Sequence, residues 1–198
     1  MKFQQGMGII EVLVALLLLA VAILGFSAMQ LQSVRSTTEA VDRTQALQLM
    51  RGLAEKIRAN PAAIGTYAEQ MHKVADKSIT QPTKSCGSAN LCNATELAES
   101  DIYSLKQQMD NMGITMDMQP CPSTGGVDAK GKQKSENVMY SYCLITAWGR
   151  TNPSIGPDDN PDDGTMDCLT PRKASNANAI QTGGMYHPKA TCMFMEVN

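Results

Sequence analysis

Proline and charge are missing from long stretches near the start of this chain, histidine is scarce throughout, and each of these features excludes a class of structure or site. The 198 residues include no proline before Pro61 and no charged side chain from Val12 to Val34, so nothing there breaks a helix or keeps it in water. There are only two histidines and no Cys-x-x-Cys pair, which argues against a zinc site of the usual ligand spacing. The formal net charge of −2 argues against a broad nucleic-acid-binding surface, because such a surface needs a basic excess.

The uncharged run is long enough to cross a bilayer. A hydrocarbon core of roughly 30 Å needs about 20 apolar residues in a helix, and Glu11 lies at the very start of such a stretch. An ionised side chain in the bilayer core costs roughly 2.5–3.5 kcal/mol on insertion scales, so it usually has a partner. Two interpretations are open. Either a cationic group of a neighbouring helix neutralises Glu11, or its carboxylate reaches the lipid headgroups at the membrane boundary.

Beyond Arg35 the pattern becomes that of an amphipathic helix. Charged residues appear, with Glu39 and Arg43 spaced to support a solvated face. The opposite stripe is apolar and comprises Ala46, Met50, Leu53, Ala54 and Ile57. This half of the helix should therefore pack against a globular head. Asn60-Pro61 should end the helix, because the residue before a proline is pushed out of the α region.

The N-terminal residues resemble those of a known family. A short polar leader ends at Gly6, Glu11 is the fifth residue after it, and the string from Ile10 to Ala15 reads Ile-Glu-Val-Leu-Val-Ala. This arrangement is similar to that of type IV prepilins. A secretory signal would have its cleavage site after the apolar core, whereas Gly6 lies before it, so the core is expected to survive processing.

The resemblance implies specific processing and a specific role for Glu11. A membrane aspartic peptidase, the prepilin peptidase, would cut between Gly6 and Met7 and methylate the new N-terminus of Met7. That amine would be cationic near neutral pH, and Glu11 of one subunit would neutralise the amine of its neighbour during assembly. The expected organisation is a cleaved leader (1–6), a transmembrane assembly helix (7–34), the amphipathic half of that helix (35–60) and a globular pilin head (61–198).

The head should combine short helices with a small sheet. Residues 96–112 suit a helix or two, with Gly113 in the C-cap position. Strands are expected at 114–118, 138–148 and 193–197, whereas Asn152 to Pro171 has too many Pro, Gly and Asp residues for a central strand and is expected to be a surface loop. The expected fold class is α+β, with the long N-terminal helix packed on a small antiparallel sheet and disulfide-linked loops.

All six cysteines follow the apolar helix, which is typical of a head in an oxidising compartment. Counting alone leaves 15 pairings open, and our prediction joins nearest neighbours: Cys86–Cys92, Cys121–Cys143 and Cys168–Cys192. The last pair would also match the C-terminal disulfide loop found in many pilins.

Two other polar clusters in the sequence could be either binding sites or plain surface loops. Asp158, Asn160 and Asp162 have alternate spacing that could hold calcium, but Leu169 stands where an EF-hand loop requires Glu, so an acidic turn is the preferred interpretation. Lys130, Lys132 and Lys134 form a small basic patch, for which solvation is preferred over nucleic-acid binding. No cofactor site and no catalytic constellation are visible in the sequence, so a helix-anchored periplasmic enzyme is the least favoured class.

The residues at the end of the long helix point to a particular subfamily of type IV pilins. Residues 50–61, which include Ala-Glu-Lys-Ile-Arg-Ala-Asn-Pro, resemble the PilV subfamily of minor type IV pilins. That resemblance implies an inner-membrane protein with a periplasmic head that later joins an extracellular pilus, at its tip. The implied partners are the other minor pilins and the major pilin, a tip adhesin, and the inner-membrane assembly platform. A minor pseudopilin of a type II secretion system shares the same N-terminal features and remains the alternative.

Overall fold

The computed structural model of the protein describes residues 8–87, 90–121, 141–156, 166–171 and 184–197. The chain divides into two compact units, Met1–Val41 and Asp42–Asn198. The helices are α1 (Ile9–Ala59), a short 3-10 helix (Pro61–Ala63), α2 (Ile64–Ala75) and α3 (Ala94–Met112). The strands are β1 (Ile114–Pro120), β2 (Tyr142–Trp148), β3 (Thr151–Ile155), β4 (Met166–Pro171), β5 (Gly184–Tyr186) and β6 (Cys192–Val197).

Helix α1 is continuous over 51 residues, as expected from a stretch without proline. Its part in the second unit buries one apolar stripe in the main hydrophobic core, and this stripe comprises Ala46, Leu49, Met50, Leu53, Ala54 and Ile57. All five residues of the predicted stripe are among these six, so the prediction is confirmed. The helix ends at Ala59, directly before Asn60 and Pro61, which is also where the sequence places its end.

Helix α2 is not among the predicted elements. Its helical period is carried by Tyr67 and Met71, which are four residues apart and fully buried. The short 3-10 helix that begins at Pro61 lets the chain start a new helix only a few residues after the previous one ends. The mixed composition after Asn60 predicts only short irregular elements, although Tyr67 and Met71 already have the spacing of a helix.

Helix α3 has clear signals at both ends, and its prediction is confirmed. At its start, the Asn93 side chain accepts a hydrogen bond from the Glu96 N–H (2.9 Å), while the Glu96 carboxylate accepts from the Asn93 N–H (3.0 Å). This main-chain hydrogen bond, together with a 2.9 Å ion pair to Lys84, lowers the pKa of Glu96. At its end, Gly113 adopts the left-handed conformation with φ 65°, which glycine takes at little cost.

The first sheet is antiparallel, with strand order β1-β2-β6. Its register pairs Ile114 with Trp148 and Tyr142 with Val197. One face carries apolar residues of all three strands into the main core beneath the helices: Ile114, Met116, Met118, Leu144, Trp148, Met193, Met195 and Val197. The predicted α+β fold, with a long helix packed on a small antiparallel sheet, is confirmed.

A second sheet, with order β3-β4-β5, corrects one prediction. The sequence predicts a surface loop over residues 152–171, yet β3 and β4 occupy the two ends of that range and pair in parallel. Pro153 is tolerated because β3 is an edge strand and its register is interrupted between Asn152 and Ile155. A smaller core of Ile145, Ala147, Cys168, Leu169 and Cys192 joins the second sheet to the other face of the first.

A polar network ties the three helices of the second unit together. Asp101 of α3 accepts hydrogen bonds from Lys56 Nζ of α1 (2.8 Å) and from the Tyr67 hydroxyl of α2 (2.8 Å). Tyr67 is fully buried. Burial, followed by the hydrogen bond to Asp101, raises the pKa of Tyr67 to about 12. The tyrosine therefore stays protonated and acts as a donor across the whole physiological range.

Candidate assembly site

Glu11 lies in the first turn of α1. Its own N–H and that of Val12 donate to the Gly8 carbonyl, at 3.0 and 3.4 Å, so the turn is closed from Gly8 onward. A carboxylate in the first turn is favoured by the partial positive charge at a helix N-terminus. Glu11 is exposed, so its carboxylate is accessible to a group on another molecule.

The surface that follows Glu11 is apolar and uncovered. Every described residue from 8 to 38 is exposed, including Ile10, Leu17 and Leu24 at 76, 63 and 71%. One helix among the described residues is long and apolar enough to cross a membrane, and its most apolar window has a mean hydropathy of 3.0 with none of it buried. An exposed apolar surface of this extent needs lipid or other helices around it.

Three hydroxyl groups of this helix are compatible with such surroundings. Ser27 donates to the Ile23 carbonyl (2.8 Å), Thr37 to that of Ser33 (2.9 Å) and Thr38 to that of Val34 (3.0 Å). Each bond satisfies a hydroxyl within the helix, four residues back along the chain. These side chains therefore need no outside partner when water is removed.

Several predicted site residues lie outside the described residues. These are Gly6 and Met7 at the processing site, Asp158, Asn160 and Asp162 of the acidic turn, and Lys130, Lys132 and Lys134 of the basic patch. Among the residues that the structure describes, no group of three or more His, Cys, Asp or Glu side chains could hold a metal ion.

The cysteines form three disulfides, and their pairing is the one predicted from the sequence. Cys86–Cys92, Cys121–Cys143 and Cys168–Cys192 have Cα–Cα distances of 5.7, 4.9 and 5.8 Å, within the usual range for disulfides. The first closes a small loop ahead of α3, and the second joins the ends of β1 and β2. The third links β4 of the second sheet to β6 of the first.

A comparison with protein families finds a match to part of the chain. The model of the Tt1218-like family, described as type IV pilin Tt1218, matches residues 28–103. The match supports the interpretation of this chain as a type IV pilin. It begins after Glu11, so it is separate from the Gly6 and Glu11 pattern, and it extends through the second half of α1 and α2 into α3. No curated protein and no solved structure matches the chain.

A type IV pilin role implies assembly with other pilins at a membrane, and the exposed apolar part of α1 is compatible with both membrane anchoring and a pilus. Sequence reasoning identified this helix and Glu11, but it missed the network of Lys56, Tyr67 and Asp101. Nothing in the local pattern marks that network, because its members are separated by 34 and 45 residues.

Proposed function

We propose that this chain is a minor type IV pilin of the PilV subfamily, which helps to form the priming complex that starts pilus assembly and then remains at the pilus tip. The observation that carries the proposal is Glu11, a carboxylate in the first turn of an exposed apolar helix. Before assembly the protein is held in the inner membrane by α1, with its head in the periplasm. After assembly it is extracellular and supports adhesion and twitching motility.

Processing creates the partner of Glu11. The prepilin peptidase cuts between Gly6 and Met7 and methylates Met7, which leaves a cationic amine close to the start of the helix. In a bundle of such helices, apolar contacts contribute little because lipid is equally apolar. The pairing of the Glu11 carboxylate of one subunit with the amine of the next therefore fixes the register, since a displaced helix would leave a buried charge unpaired.

The head supplies partner choice and performs no catalysis in this proposal. Its three disulfides and two sheets make a fixed surface, to which the other minor pilins and the tip adhesin bind. A cluster assembled in this way lowers the cost of nucleation for the major pilin. The motor and the inner-membrane platform supply the work of extension.

A deletion strain tests the proposal against the pseudopilin alternative. Loss of surface pili and twitching with normal protein secretion supports the pilin role, and complementation with the wild-type chain should restore both. Loss of secretion with normal twitching would assign the chain to a type II secretion system instead. Mass spectrometry of sheared pili gives the second readout, because a tip subunit must be present in far fewer copies than the major pilin.

A further inference from the structure

The two edge strands of the first sheet, β1 and β6, have different neighbours. Helix α2 packs closely along β1, with Met71 in the main core and His72 3.4 Å from Asp117, whose side chain lies on the other face. The β1 edge is therefore covered. At the opposite edge, no described strand pairs with the outer side of β6 (Cys192–Val197).

Two hydrogen bonds establish which main-chain groups of β6 point outward. The Trp148 N–H donates to the Thr191 carbonyl (3.0 Å), so Thr191 faces β2. Since facing alternates along a strand, Met193 and Met195 also face β2, whereas Phe194 and Glu196 direct their N–H and C=O groups away from it. In agreement, the Phe194 N–H donates to the Tyr186 hydroxyl (3.2 Å) rather than to β2.

Three common protections of an exposed edge, namely lysine, proline and a bulge, are missing from β6. Its sequence contains neither lysine nor proline, and its register with β2 runs from Ala147–Cys192 to Tyr142–Val197 without a bulge. The side chains beside the edge form a ready contact surface: Phe194 and Tyr186 are 43 and 46% exposed with ring centroids 5.5 Å apart, and Glu196 is exposed and anionic.

We propose that the outer edge of β6 is a docking site for an extended strand of a different protein, which adds to the sheet as a fourth strand. Main-chain hydrogen bonds to Phe194 and Glu196 hold the incoming strand. The strand carries an apolar side chain against Phe194 and Tyr186 and, two residues away on the same face, a basic side chain opposite Glu196. In the free protein the Tyr186 hydroxyl accepts the hydrogen bond of the Phe194 N–H, and the incoming strand replaces this hydroxyl as the acceptor. This inference does not depend on the proposed pilin role, because it concerns the edge chemistry alone.

The test uses the full chain in detergent micelles and the peptide acetyl-Lys-Thr-Val-Thr-Lys-amide, which presents the required pattern in either strand direction. Amide NMR should show saturable shifts at Phe194 and Glu196. The same peptide N-methylated at all five residues, which cannot donate main-chain hydrogen bonds, should produce none. Glu196→Pro removes an outward N–H without touching the β2 ladder. The Glu196→Pro variant should bind the unmethylated peptide roughly three- to tenfold more weakly than the matched control Glu196→Ala, which loses the charged side chain but keeps the main-chain N–H.

Tyr186→Phe should strengthen peptide binding, whereas Glu196→Pro should weaken it. The Tyr186→Phe variant also avoids placing a proline in β6. It keeps the ring but removes the acceptor from the Phe194 N–H, so the peptide should bind more tightly than to the wild type. Equal shifts with both peptides, no shift with either, or unchanged binding by Tyr186→Phe would overturn the proposal. Self-association of the free chain through the same amides would also overturn it, because the occupant would then be a second copy.

Discussion

Removal of the Tyr67 hydroxyl should destabilise the head by an amount that the geometry allows us to work out. Tyr67→Phe keeps the buried ring and deletes one donor, the hydroxyl 2.8 Å from Asp101 Oδ2. A hydrogen bond to a charged group contributes about 1.5–3 kcal/mol. Asp101 retains Lys56 at 2.8 Å, so its charge is not orphaned, and we expect a loss near the lower end, about 1.5–2 kcal/mol.

The assay is urea unfolding of the full chain in detergent, followed by fluorescence. Trp148 is the only tryptophan and is 5% exposed in β2, so its emission reports the packing of the head. With a slope of about 2 kcal/mol per molar urea, the midpoint should fall by roughly 0.7–1 M. Tyr103→Phe on α3, the helix that carries Asp101, is the matched control and should change stability by less than about 0.5 kcal/mol. Equal effects of the two variants would refute the assigned role of the Tyr67 hydroxyl.

Alkaline pH provides an independent check on the same group. The pKa of Tyr67 is raised from 10.0 to about 12 in the folded protein, so between these values the unfolded chain releases a proton that the native state keeps. The stabilisation is therefore complete below pH 10 and is lost as the pH rises toward 12. Tyr67→Phe has no such proton, so the stability gap between wild type and variant should narrow over this window. A gap that stays constant or widens from pH 10 to 12 would contradict the mechanism.

Three further changes test other parts of the head by the same assay. Asn93→Ala should cost about 1 kcal/mol because the Glu96 N–H loses its cap, and Asn93→Asp should largely keep it; equal losses would argue against the cap. Thr146→Val should stabilise the protein by about 1 kcal/mol, since the Thr146 hydroxyl is buried without a partner among the described residues, and a loss of stability would show that it has one. Joint replacement of Cys168 and Cys192 by Ser should cost about 3–3.5 kcal/mol from closure of their loop, and an unchanged midpoint would mean that the bond is not formed in the isolated protein.

The elements with strong local signals could be predicted from the sequence. The buried stripe from Ala46 to Ile57 repeats at the helical period, Pro61 marks the end of α1, and Gly113 marks the end of α3. Each signal lies within a few residues of its structural consequence. The apolar run and Glu11 are equally local, which is why the candidate assembly site could be identified before the structure.

The features that escaped prediction depend on distant contacts. Strands β3 and β4 contain proline and are stabilised by each other and by the smaller core, so their local composition resembles a loop. The network at Asp101 joins residues on three helices, and no periodic pattern encodes such a meeting. The edge of β6 could be recognised only from the strand order, which shows that α2 packs along one side of the sheet and that no described strand pairs with the other.

The central claim is that Glu11 drives assembly by pairing with the amine of a neighbouring subunit, and Glu11→Gln tests it most directly. The substitution keeps size and shape but removes the charge, and leaving the partner amine unpaired should cost roughly 3–5 kcal/mol if the site is desolvated. Glu39→Gln, the same change elsewhere on α1, is the control. In a strain that depends on this chain for piliation, Glu11→Gln should leave cleavage after Gly6 largely intact by mass spectrometry. Surface pili and twitching should be lost while mature protein accumulates in the inner membrane, and normal piliation with Glu11→Gln would contradict the account.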